Sequence, residues 1–164
     1  MELTSLLAAF GLSSAAGINA YKPLLTIALL ARYTSIIALE EPLSILTNGW
    51  IIITLTVLLL IELTVDKIPL VDHMNDIIQT VIRPIAGAIV FAIGSGAIGM
   101  AHPILAVIAG LILAGGIHTA KSVVRVKSTV LTVGLANWAI SLTEDVLAFI
   151  AILVAIFFLW LAGM

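Results

Sequence analysis

An all-α integral membrane protein is the fold class this sequence predicts, on three observations. Of 164 residues, 62% are hydrophobic and 10% are charged, where a soluble domain carries about 25% charged residues. Mean hydropathy is +1.29, so the chain has too little polar surface to face water on all sides. Long stretches are nearly free of charge: 84–101 and 146–164 hold none, 103–120 holds one histidine, and 49–63 holds a single acid, Glu62. Each approaches the ~20 residues that span a bilayer as a helix. The length leaves room for five or six membrane segments with broken helices in a single transmembrane domain, 1–164, and none for a soluble domain of usual size.

The segments follow in order. The first, 3–33, is longer than one crossing needs and carries Gly17, Asn19, Lys22 and Pro23 near its middle. Proline lacks a backbone donor and clashes with the preceding turn, which predicts a kink or break near Pro23 within one crossing. The start at Met1-Glu2 has no basic n-region and no A-x-A pattern, so it reads as the first helix and not as a signal peptide. A connection with Glu40, Glu41 and Pro42 spans 34–47, and a second segment spans 48–65. Next, 70–83 has Val71, Met74, Ile77, Ile78, Val81 and Ile82 at helical spacing, with Asp72, Asp76, Gln79 and Arg83 on the other face. That pattern predicts an amphipathic helix, separate from the membrane segments, lying in the interface or against the bundle. Segment three, 84–100, is rich in glycine and alanine, and Gly94-Ser95-Gly96 permits close helix contact. Segment four spans 103–127. In the remaining 129–164, Ser141-Leu-Thr-Glu144 fits a capping box. Two readings stay open there: a short piece over 129–140 followed by a full span over 145–163, or one long tilted helix.

An internal similarity runs through these segments. GLSSAAGINAYK (11–22) matches GLILAGGIHTAK (110–121) at six of twelve positions, including Lys22 and Lys121, with Asn19 opposite His118. IELTVD (61–66) matches ISLTED (140–145) at four of six, including Asp66 and Asp145. With segments one to four each crossing once, the first and fourth run in opposite directions. This predicts an inverted-topology repeat, 3–69 against 103–163, as in many transporters. Lys67 and Arg83 flank one connection, and Lys121, Arg125 and Lys127 crowd another. The excess of Lys and Arg puts both on the cytoplasmic side of the plasma (inner) membrane, and the N-terminus with them.

A charge at the bilayer centre costs roughly 2.5–3.5 kcal/mol on insertion scales, so the intramembrane polar residues are the candidate site. Two clusters are expected, related by the repeat. Asn19 and Lys22 would meet Glu62 and Asp66; His118 and Lys121 would meet Glu144 and Asp145. In each, the lysine neutralises one carboxylate and leaves another to bind a cation or carry a proton. The same residues read equally well as ion pairs that fix the bundle and transport nothing. Asp72, His73 and Asp76 offer oxygen and imidazole ligands within five residues and could hold a divalent cation, the one cofactor suggested, although such a set is more often a solvated helix face. Lys67 and Arg83 could meet lipid phosphates.

GINAYKPLL (17–25), ARY (31–33), ELTVDKIPLVDHMNDIIQTVIRPIAGA (62–88), the GG-x-H-x-x-K of 115–121 and SLTED (141–145) resemble the bacterial membrane proteins grouped as domain of unknown function 4126. The resemblance covers nearly the whole chain and implies a small multipass membrane protein with these motif positions as the functional ones. It brings no activity with it.

The function expected is therefore a small membrane transporter or ion-conducting protein, proton- or cation-linked, handling a small ion or solute and assembled in the bilayer as a homo-oligomer. One alternative is a metal-dependent enzyme acting on a lipid phosphate at the membrane face, although the sequence holds no recognisable catalytic string. Another is a non-catalytic membrane assembly protein. A net charge of −2 gives no footprint for nucleic acid, and the absence of cysteine excludes disulfides and thiolate metal sites.

Overall fold

A computed structural model describes residues 3–67, 71–96, 103–132 and 137–163, apart from the side chains of Asp72 and His73. All regular structure among these residues is helical: α1 (Leu3–Ile18), α2 (Tyr21–Tyr33), a 3-10 helix (Leu43–Thr47), α3 (Gly49–Val65), α4 (Val71–Gly94), α5 (Pro103–Thr132) and α6 (Asn137–Ala162). Three stretches are long and apolar enough to cross a membrane: Met74–Gly94, Pro103–Thr132 and Asn137–Ala162. The α1 and α3 helices are apolar but shorter.

The break in the first segment falls at Asn19-Ala20, ahead of Pro23. Asn19 Oδ1 accepts from the backbone N–H of Tyr21 (3.1 Å) and of Lys22 (3.0 Å), satisfying two donors that open α2. Pro23 then sits in the first turn, where a missing N–H costs nothing. The two halves fold back on each other instead of crossing once. Ala9 lies against Gly94, and residues 37–40 share a hollow with Ile93 and Gly96. Had α2 continued in the direction of α1, its end would lie about 36 Å from Ala9, and the four residues 34–37 reach only ~14 Å. The α1 and α2 helices are therefore a hairpin with its turn at Asn19-Ala20. α3 starts beside Arg32 at the end of α2 and descends to the level of that turn.

The α1 helix is the hub, packed against α4, α5 and α6 through Ala8, Ala9, Leu12, Ser13, Ala15, Ala16 and Gly17, all buried. Small residues let backbones meet. A Cβ on Gly110 would stand 2.5 Å from Gly87 O and 2.7 Å from Ala88 Cα, and one on Gly87 would stand 2.2 Å from Ala114 Cβ. Because the obstacle is largely backbone, Gly110→Val is expected to separate α4 from α5 and to destabilise by about 1–3 kcal/mol or more. Thermal unfolding in detergent would show this as a lowered midpoint; an unchanged midpoint would contradict the close crossing.

Helix direction corrects the repeat. Ser13 Oγ donates to Gly110 O (3.2 Å), Gly17 abuts Ala114 and Ile117, and Ile18 O accepts from Lys121 Nζ (2.9 Å). Numbers rise together along the contact, so the matched segments of α1 and α5 run the same way and an inverted relation between them does not hold. The reason is the hairpin: α2 adds a traverse that the one-crossing count omitted. For the same reason the start of α1 lies at the end of the bundle away from Lys67, Lys121 and Arg125. The expectation of N-terminus and basic connections on one side is overturned.

Two further expectations change. The amphipathic stretch is not a helix of its own, since α4 runs unbroken from Val71 through Pro84 to Gly94. Nor does a helix begin at Ser141. α5 extends to Thr132, α6 starts at Asn137, and Ser141 is buried within it.

The polarity of α4 is inverted relative to a soluble helix. Met74, Ile77, Ile78 and Val81 are 60–73% exposed, whereas Asp76, Gln79 and Arg83 are buried. Large apolar side chains also cover the outside of α3, α5 and α6. A surface of this kind is matched to hydrocarbon and not to water.

Candidate functional site

Ten charged side chains gather at the level of the hairpin turn, supplied by the helices that reach it. Lys121 Nζ caps the C-terminus of α1 at Ile18 O (2.9 Å), where the helix dipole favours a cation. The same ammonium lies 3.1 Å from Asp66 Oδ2 and 3.3 Å from Glu144 Oε2. Arg125, four residues on and so on the same face of α5, donates to Asp66 Oδ2 (3.1 Å) and, through Nε and Nη2, to Glu144. Asn75 Nδ2 donates to Asp66 Oδ1 (3.1 Å). Asp66 thus has three donors from two helices.

A second group lies deeper. Arg83 Nη2 donates to Glu62 Oε1 (2.8 Å), while Arg83 Nη1 reaches Asp76 Oδ1 (3.5 Å) and His118 Nδ1 (2.7 Å). Arginine can only donate, so His118 Nδ1 accepts. The imidazole is then neutral with its hydrogen on Nε2, directed at Thr80 Oγ1 (3.1 Å). Thr80 in turn donates to Asp76 O (2.8 Å). Glu62 and Asp66 stand four residues apart on α3 and join the two groups.

The third group is nearest the edge. Asp145 receives Lys22 Nζ on Oδ1 (2.6 Å) and Lys67 Nζ on Oδ2 (3.4 Å). Side-chain exposure falls inward from Lys67 (33%) and Asp145 (24%) to Glu62 (1%) and Arg83 (0%). Five cations (Lys22, Lys67, Arg83, Lys121 and Arg125) face five carboxylates (Glu62, Asp66, Asp76, Glu144 and Asp145). With His118 neutral, the charges of these described residues balance, which is what a low-dielectric surrounding tolerates.

The residues chosen from the sequence do converge, but in exchanged pairs. Lys22 meets Asp145 of α6 instead of Glu62 and Asp66. Lys121 meets Asp66 as well as the expected Glu144. His118 joins Arg83, not Asp145. The hairpin turn brings Lys22 against α6, and α3 delivers Asp66 to α5. Asn19 is occupied with the start of α2. Arg83, expected at a lipid headgroup, is fully buried, because the polar face of α4 points inward; Lys67 bonds Leu63 O (2.8 Å) and Asp145. The Asp72 and His73 side chains of the expected metal set lie outside the described residues, and Asp76 is turned towards Arg83. Among the described residues no group of three or more His, Asp or Glu is placed to hold a metal.

Arg125, Asn75, Gln79 and Thr80 were missed. The His118, Lys121 and Arg125 spacing, one stripe on an otherwise apolar helix, was the available signal for Arg125. Asp76, Gln79 and Arg83 form a similar stripe, the polar face of the amphipathic pattern over 70–83. The sequence model of one family, described as Domain of unknown function (DUF4126), matches residues 6–164. No curated protein and no solved structure matches the chain.

Proposed function

This chain belongs to the DUF4126 family over essentially its whole length, and from that premise we propose that it is a small membrane transporter or ion-conducting protein whose site is the buried network of paired Lys, Arg, Asp and Glu. The observation that carries the reading is Glu62. One carboxylate oxygen is held by Arg83 and the other, buried, has no partner among the described residues. Ion pairs that merely lock a bundle satisfy all their polar atoms, because an unpaired buried one costs about 1–3 kcal/mol or more. Charged groups within membrane segments mark ion and substrate routes more often than not.

Aromatic residues support a place inside the hydrocarbon for this network. On α6 the exposed Trp138 and Trp160 are separated by about 33 Å of helix, close to the ~30 Å hydrocarbon thickness over which such belts are spaced. Exposed Tyr33 and Trp50 lie at the Trp160 end. Glu144 and Asp145 are then about 10 Å inside the Trp138 boundary. Six of the seven basic residues, all but Arg32, lie towards that boundary, which assigns it to the cytoplasm and the start of α1 to the opposite side. From the exposed Lys67 and Asp145 the titratable groups lead inward to Glu62. Beyond Glu62, the fully buried Ala16, Leu12 and Ala9 of α1 close the way, so passage requires the helices to move and not an open pore.

Glu62→Gln, which keeps shape and removes charge, is expected to lower flux in proteoliposomes at least tenfold while leaving helicity and elution in detergent unchanged. Flux equal to that of the parent protein would refute the assignment.

A further inference from the structure

Around Glu62, three buried atoms on neighbouring side chains have no hydrogen-bond partner among the described residues: Glu62 Oε2, Gln79 Oε1 and Arg83 Nε. They belong to adjoining side chains. Glu62 and Arg83 are bonded at 2.8 Å, and Gln79 stands one turn before Arg83 on the inward face of α4. Tyr21, at the start of α2, has its hydroxyl within hydrogen-bonding reach of the Gln79 side chain and within electrostatic reach of Glu62 and Arg83. All four residues are buried.

The chemistry of the leftover set is specific: one donor and two acceptors. A metal cation would be coordinated by the two oxygens but repelled by the guanidinium beside them. An anion would satisfy Arg83 Nε and oppose the carboxylate. A water molecule accepts one hydrogen bond and donates two, which matches the set and falls within the two to four partners that hold a buried water.

We infer that Glu62, Gln79 and Arg83 hold one water molecule, and that the ion carried by the route proposed above is a proton passed from that water to Glu62. The inference rests on that transport reading for its second half only. In the step, the O–H bond that the water directs at Glu62 Oε2 breaks as an O–H bond forms on that oxygen, and the water is reprotonated from a hydronium ion of the medium, whose own O–H bond breaks. A water molecule remains at the site and no cation rests beside Arg83. No electron changes hands. Before the step Arg83 is shared by Glu62 Oε1 (2.8 Å) and Asp76 Oδ1 (3.5 Å); after it, Asp76 keeps the guanidinium balanced. The other groups facing Glu62 are Tyr21 from α2, Asp66 from its own helix and Lys121 from α5.

The test uses the full chain in liposomes loaded with a pH-sensitive dye, under an imposed potassium diffusion potential. Acidification of the lumen is expected for the parent protein, with at least a tenfold loss in Glu62→Gln and in Gln79→Leu, and no uptake under a sodium gradient alone. Sodium uptake without acidification would overturn the inference. The same preparations give infrared difference spectra between neutral and acidic medium. A carboxyl band that shifts in deuterated water, is absent from Glu62→Gln and moves in Gln79→Asn is expected; a parent spectrum without it would overturn the inference. If the parent protein moves no ion or solute at all, the transport reading fails, and the infrared band alone then decides the water site.

Discussion

Arg83→Met is expected to be the most damaging single substitution in the chain. Arg83 is completely buried and joins Glu62, Asp76 and His118. Without it, two carboxylates remain buried with no cation in contact, and His118 Nδ1 loses its donor. Removing one member of a buried ion pair typically costs about 3–5 kcal/mol, a large share of the ~5–15 kcal/mol that holds a domain together. At roughly 2–4 °C per kcal/mol for a chain of this size, the midpoint of thermal unfolding in detergent should fall by about 10 °C. Glu62→Met together with Arg83→Met should recover much of the loss, since replacing both partners by apolar side chains is often neutral, yet that protein should carry no flux. A single variant as stable as its parent, or a double no better than the single, would show that the pair does not hold α3 to α4.

Asp66→Leu is expected to come second, and comparison with Asp145→Asn gives it meaning. Asp66 takes Lys121, Arg125 and Asn75. Its loss removes a carboxylate shared by two buried cations, again a cost of about 3–5 kcal/mol. Asp145 has two lysines too, but all three side chains are 14–33% exposed. Pairs that water can reach are worth below about 1 kcal/mol, so Asp145→Asn should shift the unfolding midpoint by only a few degrees. Parallel melts of the two variants check the contrast. Equal effects would mean that burial does not deepen from the edge of the network to its centre. Asp66 is shared by two cations, so Asp66→Asn is the poorer probe of transport; Glu62→Gln keeps an amide oxygen for Arg83, which also retains Asp76, and is the better one.

Much of the fold was legible from residues alone. The break in the first segment could be anticipated from Asn19, Lys22 and Pro23, although proline marked the wrong residue: it opens α2, and Asn19 makes the turn. The direction of α2 was not legible, since a cap and a proline say where a helix starts and nothing about where it points. The hollow that residues 37–40 share with Ile93 and Gly96 fixes it. The error propagated, because one miscounted traverse reversed the inferred relation between α1 and α5 and moved the start of α1 to the other end of the bundle. Most of the candidate site residues were found, as a polar side chain in an apolar run stands out. Their pairings were not, because partners distant in sequence are chosen by packing.

The amino-acid sequence by itself determined that this chain is helical and matched to a bilayer, and that its few charges are concentrated on particular helix faces. Composition and periodicity are local quantities, and they suffice for that. Only the tertiary structure decided which way each face turns. The 3.6-residue repeat over Asp76, Gln79 and Arg83 divides α4 into a polar and an apolar side, but the surrounding medium sets which side is buried. With lipid outside, the charges turned inward, and the hairpin brought Lys22 to Asp145 while α3 brought Asp66 to Lys121.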